Sequence, residues 1–250
     1  MSGLPDAGFL DERGLNRQHV FNLAALPADL LAPLAPAAHE RQLILFGHAG
    51  RRLWECVQAE GLSSAHPIDE YSLRTVEHWL RRNLPETQAR FVFPNTPSHQ
   101  RIGLQRLGQF AGWHHPAPFM LGVDAKWGSW FAYRAAILTD TNLPASAIED
   151  LGHPCPACTD KPCISACPGK ALEGGRFDMA ACHQHRLADQ SPCALGCLAR
   201  QACPVGAEHR YEDSQIQHSA AGSLAWIRAQ PEPEVLLTAA SPTKLAPSRI

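Results

Sequence analysis

The 250-residue chain has no excess of either charge: 22 Lys and Arg stand against 24 Asp and Glu, for a formal net charge of -2. Nucleic acids and anionic membrane surfaces select for a basic face, so neither is expected as a partner. Export is also not expected. The opening MSGLPDAGFLDERG carries acidic side chains where a signal peptide needs a basic stretch and then an apolar run. Hydrophobic runs are short: Trp130 to Leu138 is interrupted by Arg134 and falls well below the roughly 20 residues that span a bilayer. There is no GxGxxG and no P-loop to cradle a nucleotide phosphate, and no internal repeat apart from a pseudo-symmetry within the cysteine region. A composition 45% hydrophobic and 18% charged then suits a cytoplasmic globular protein with a real core.

What the chain has in quantity is cysteine. Eight of its nine cysteines fall between Cys155 and Cys203. In a small secreted protein they would suggest disulfides; with no sign of export they point to metal.

Upstream of the cysteines, strand and helix patterns alternate, so an α/β or α+β layer domain is expected. Residues 1–40, rich in Leu, Ala and Pro and without a sustained period, read as a wrapping segment. Leu43 to Phe46 is an apolar run fit for a buried strand, and Gly50 to Glu60 reads as a helix. From Ile68 to Leu84, the residues Leu73, Val76, Leu80 and Leu84 recur at helical spacing, with Pro85 as a stop. Arg90 to Phe93 reads as a strand, Pro94-Asn95-Thr96-Pro97 as a turn, and Leu104 to Ala111 as a helix that Gly112 ends. Phe119 to Val123 and Trp130 to Leu138 read as strands joined in hairpin fashion through residues 124–128. The pattern divides the chain into the wrapping segment, a domain over 41–150, a cysteine module over 151–212, a helix over 213–230 and a disordered tail over 231–250.

The cysteine spacing is specific. Two-cluster ferredoxins hold their iron with a C-x2-C-x2-C-x3-C-P run whose last Cys ligates the other cluster. The run here is Cys155-x2-Cys158-x4-Cys163-x3-Cys167-Pro168, and the longer central gap implies a bulge. Cys182, Cys193-x3-Cys197 and Cys203-Pro204 follow, so both halves end in Cys-Pro. Crossover assigns Cys155, Cys158, Cys163 and Cys203 to one [4Fe-4S] cluster and Cys167, Cys182, Cys193 and Cys197 to a second. Zinc also accepts four thiolates at such spacing, and a single cluster with free thiols remains open. Cys56 reads as a buried free thiol.

Phe110-Ala-Gly-Trp-His-His, Gly128-Ser129-Trp130-Phe131 and Ala136 to Asp140, with the cysteine order and the lone Cys182, resemble the epoxyqueuosine reductases, which are cobalamin-dependent and related to reductive dehalogenases. Pro94-Asn95, Ala111-Gly112 and Trp127 to Arg134 are similar to the CblC type of cobalamin-processing protein. The two resemblances together cover most of residues 41–210. They imply an α+β fold, with a nitroreductase-like, CblC-like sheet-and-helix domain followed by a bacterial two-cluster ferredoxin-like domain. They also imply a bound cobalamin that receives electrons from the clusters, reductive removal of its upper ligand, and an upstream donor of reductase or flavodoxin type.

Under the CblC resemblance Arg134 falls where an arginine contacts glutathione, although a plain salt bridge would also account for it. Trp127, Trp130 and Phe131 would line the corrin cavity or form ordinary core. Gly128 would allow close backbone approach or simply mark a turn. His114 and His115 stand where a cobalt ligand or proton donor could sit, and Asn95 and Thr96 could donate to the corrin amides or only make the turn. No catalytic residue is assigned. The Pro94 to Pro97 stretch lacks the acidic proton donor of the epoxyqueuosine reductases, and their helical-repeat extension is not seen. Processing of the corrinoid is therefore expected ahead of reduction of an organic substrate or service as a ferredoxin-like carrier without corrinoid.

Overall fold

A computed structural model describes residues 3–62, 64–94 and 102–230, so Asn95, Thr96 and the tail over 231–250 lie outside the described residues. The fold is mixed α+β, centred on an antiparallel sheet. Its strands are β1 (Arg17–Asn22), β2 (Gln42–Ala49), β3 (Ala89–Phe93) and, much later in the chain, Phe131–Thr139, in the order β1, β2, Phe131–Thr139, β3. A second, two-stranded sheet pairs β4 (His115–Pro116) with β5 (Gly122–Val123), which makes the long strand β6.

All eight residues of β2 are buried. That is why its apolar residues run on without alternation: β2 and β6 are the inner strands, and both sheet faces are covered. Over one face, Ile44, Phe46, Ala135 and Ile137 pack against α1 (Ala7–Glu12), α3 (Arg52–Glu60) and α4 (Pro67–Asn83), with Trp79 fully buried. Over the other, Leu43, Leu45, Ala136 and Leu138 meet α2 (Ala28–Leu34) and α5 (Leu104–Phe110). Helix α4 starts with Pro67, has Asp69 and Glu70 in its first turn and Arg81 and Arg82 in its last, each matched to the helix dipole. The face it buries is centred on Tyr71, Val76 and Trp79, with Leu73 and Leu80 half-buried at its margins. The aromatic side chains carry the larger apolar area, so they turn the helix away from a purely Leu/Val face.

Two expectations are corrected. Residues 1–40 do more than wrap a surface: β1 pairs with β2 from Arg17–Gly47 to Asn22–Gln42, and Leu10, Leu15 and Val20 sit in the core. In its sequence RQHVFN the first two residues are half-buried and polar, while Val20 and Phe21 enter the cores on opposite faces of the sheet; β1 is an edge strand. A strap of irregular chain covers it, with the Ser146 amide donating to the Val20 carbonyl at 3.0 Å. Strands β5 and β6 also form no hairpin. The Asp124 carboxylate accepts from the amides of Lys126 and Trp127 at 2.8 Å each and closes a tight loop, while β6 pairs with β2 and β3.

Past the strap, a 3-10 turn at Cys155–Ala157 leads into α6 (Pro162–Ser165), α7 (Met179–Leu187) and α8 (Leu198–Gln201), and a second at Ala207–His209 leads into α9 (Asp213–Arg228). Asp178 caps α7 by accepting from the Ala181 amide at 2.9 Å, which orients the helix that carries Cys182. Among the described residues no helix is long and apolar enough to cross a membrane.

Candidate functional site

None of the nine cysteines is in a disulfide. Eight of them surround two separate cavities. The first, about 390 Å³, is lined by Cys155, Cys158, Cys163 and Cys203 together with Pro204. The second, about 310 Å³, is lined by Cys167, Cys182, Cys193 and Cys197 together with Pro168. Each group of four therefore takes three residues from one half of the run and one from the other. Phe119 and Leu172 line both cavities and stand between them. Among the described residues no three His, Cys, Asp or Glu side chains converge tightly enough to hold a single metal ion; the thiols ring larger spaces.

The thiols within each cavity oppose one another's ionisation. Burial, then Cys203 and Cys163, pushes the Cys155 thiol up, and burial, then Cys203 and Cys158, does the same to Cys163. In the second cavity burial, then Cys197, raises Cys182. Only the thiolate ligates metal, so four such groups facing one space ionise together when a polycationic centre compensates them. A [4Fe-4S] cluster, with four thiolate ligands, fits that donor set.

The sheet domain is joined to this region through close contacts. Gly128 has φ of +58° and Gly206 has φ of +63°; a Cβ on Gly128 would strike the Val205 carbonyl, and one on Gly206 would strike the backbone of Trp127 and Gly128. Gly128 thus sits in a turn against the backbone of Val205 and Gly206. Across the same junction Arg51 Nε donates to the Arg210 carbonyl at 2.6 Å, Trp54 Nε1 to Ser214 Oγ at 2.9 Å, and Arg200 to the Ser129 carbonyl at 2.6 Å.

The residues assigned by resemblance to a corrin do not converge on one described cavity. Trp127 packs against His209 at 4.3 Å between centroids and lines a third cavity of about 480 Å³ beside Trp113 and the buried Arg17–Asp124 pair, which is 2.9 Å long. Trp130 lines the second cysteine cavity. Phe131 lies in the core edge-on to His114. His114 is buried and its Nδ1 lies 3.2 Å from the Tyr133 hydroxyl; burial holds its pKa below the usual histidine range. His115 pairs with Asp150 at 3.0 Å and stacks on His153, which lines the first cavity. Arg134 is the extra residue of a bulge between the Phe46–Ala135 and Gly47–Tyr133 pairs. Its Nε donates to His48 Nδ1 at 2.9 Å and its Nη1 lies 3.7 Å from Asp69, so it serves an interior network that His48 continues by stacking on Tyr211.

Reading from sequence alone missed His48, Arg17 with Asp124, His185 and Arg200. Single charged or imidazole side chains within ordinary helix and strand patterns carry no spacing signal. The Arg that follows the last Cys-x3-Cys by three residues was the one local hint.

No protein-family model and no curated protein matches the chain. Among solved structures, it superposes on an epoxyqueuosine reductase determined with a tRNA-Tyr epoxyqueuosine-modified tRNA stem loop at a TM-score of 0.53 and 13% identity, covering 84% of this chain and 67% of that one. The epoxyqueuosine reductase from Streptococcus thermophilus gives 0.51 and 13% identity over 80% and 64% of the two chains. This chain thus spans about two thirds of the length of those proteins, with which it shares a fold. A C. elegans B12-trafficking protein, CblC, gives a TM-score of 0.44 and 16% identity, over 85% of this chain and 88% of that one.

Proposed function

We propose that the chain is an iron-sulfur reductase in which Cys155, Cys158, Cys163 and Cys203 hold one [4Fe-4S] cluster and Cys167, Cys182, Cys193 and Cys197 a second. The carrying observation is the partition of eight thiols between two cavities, four to each, with the Cys-Pro cysteine of each half placed in the opposite group. The cysteine region is then a ferredoxin-like module fused to the sheet domain. Such clusters, when bound, supply one-electron transfer at low potential. The chain's own residues do the rest. The thiols fix the clusters, Phe119 and Leu172 separate them, and the paired Gly128 and Gly206 hold the module against the sheet domain.

The electron acceptor we propose is a corrinoid, whose upper ligand the protein removes reductively, after electrons arrive from a donor of reductase or flavodoxin type. The sequence resemblance and the fold shared with epoxyqueuosine reductases support this acceptor. No step is assigned to the corrin, since its candidate residues are not gathered in one described cavity. The same fold favours a second reading, a cobalamin-dependent reductase of an organic substrate such as epoxyqueuosine.

Protein purified without oxygen should contain about eight iron and eight sulfide atoms per chain; zinc in place of iron would overturn the proposal. Added hydroxocobalamin should shift its corrin absorption bands, and cyanocobalamin should lose cyanide when a chemical reductant is present. Unchanged bands would leave an electron carrier without corrinoid. Conversion of an epoxyqueuosine-containing stem loop to queuosine, read by nucleoside analysis, would establish the second reading instead.

A further inference from the structure

The two cysteine cavities differ in what else faces them. Trp130 and His185 line the second, and each has a buried ring nitrogen with no hydrogen-bond partner, Trp130 Nε1 and His185 Nε2. Among the described residues that line the first cavity, no side-chain nitrogen or oxygen is left in that state. A buried indole N–H normally finds an acceptor, because leaving it unpaired forfeits the hydrogen bond it had to water. The second cavity also faces fixed positive charge. Arg200 sits over the Trp130 ring at 4.3 Å and donates to the Ser129 carbonyl and hydroxyl. Arg186 donates to the carbonyls of Cys193 and Ala220 at 3.2 and 3.1 Å and to the Ser223 hydroxyl at 2.9 Å. These bonds go to neutral oxygens, so both charges stay available to the cavity. The cations of the first cavity, Lys161 and Arg176, are exposed, where water and salt screen them.

We propose that Trp130 and His185 donate N–H···S hydrogen bonds to a cluster in the second cavity, and that with Arg186 and Arg200 they hold it at a higher reduction potential than a cluster in the first. The inference rests on the cluster reading above. Hydrogen bonds to sulfur and net charge are among the determinants of such potentials. The reduced form carries one more negative charge, so donors and cations favour it. An electron from an external one-electron donor then moves from the first site to the second. The first is oxidised by one electron as the second is reduced by one, and no proton or bond changes hands. The relay thereby has a direction, toward Trp130 at the entry to β6.

The test is a potentiometric titration of anaerobically loaded protein followed by electron paramagnetic resonance. Cys158→Ser and Cys182→Ser assign the two signals, and iron and sulfide are assayed on the same samples. The second-cavity signal should appear at the higher potential. Trp130→Phe, which keeps the ring and removes the N–H, should lower that midpoint alone, by roughly a tenfold change in electron distribution, or about 59 mV for a one-electron couple. His185→Leu, at a half-buried position, should act in the same direction. Equal midpoints, a higher first midpoint, or a second midpoint unmoved by both variants would overturn the inference while leaving the clusters in place. A preparation free of iron and sulfide would overturn the cluster reading itself.

Discussion

At the scale of single residues, two glycines decide how the halves of the protein meet. Gly206 has a left-handed backbone, which costs a residue with a side chain roughly 1–2 kcal/mol, and its α-hydrogen faces the peptide between Trp127 and Gly128. Backbone on both sides leaves nothing that can move cheaply. Gly206→Ala should therefore lower the unfolding free energy by about 2 kcal/mol or more in urea titration, a size typical of strain at a special backbone position. Gly174→Ala, where an added Cβ meets nothing within 4 Å, should change it little. In the sequence, glycine at 128 was legible as either a turn or a point of close approach. Its partner at 206 was not, because 78 positions of chain separate them and only the tertiary contact relates the two. Arg134 shows the same limit: its position on a strand was legible, but the bulge that turns it onto His48 depends on the register with β2.

At the scale of elements, long periodic segments were readable. Helices α3, α4, α5 and α9 and strands β2, β3 and β6 lie close to where their patterns placed them. Strand β1 was hidden because its apolar residues are only Val20 and Phe21, one for each face of the sheet, after the polar Arg17, Gln18 and His19, and β5 was given the wrong partner because the Asp124 loop mimics a hairpin turn. Nothing in the sequence of α9 announces what it covers. Its Ser219, Ala220 and Ser223 line the second cysteine cavity, while Ile216 is buried in a cluster with Trp130 and Tyr211. Ile216→Asp would place a carboxylate among those rings and loosen the helix. The variant should release iron from the second site to a chelator several-fold faster than the unchanged protein, with the first site unaffected, as followed by the loss of each resonance signal.

At the scale of the whole molecule, the cysteine region is built from short helices and turns, with little apolar core of its own: Phe119, Leu172, Ala199 and two cysteines make up its buried cluster. A region so lightly packed draws stability from ligands that bind only the folded state. Removing iron with a chelator under anaerobic conditions should therefore lower the melting temperature and expose the amides of residues 155–205 to faster hydrogen exchange, while β2 and β6 remain protected. An unchanged melting temperature would mean that the thiols are not structural ligands.

The sequence alone determined the eight cysteines, their division by spacing into two sets of four, and the long helices and inner strands, because each is a property of neighbouring residues or of a period that burial imposes on the chain. Only the tertiary structure decided that Trp130 and His185 face the second cavity, that Arg134 turns to His48, and that Gly128 meets Gly206. Those are contacts between segments far apart in the chain, such as Arg51 with Arg210 across 159 positions. They exist only once the sheet, its bulge and the cysteine-bearing turns have packed, and no local pattern encodes which side chains packing will bring together.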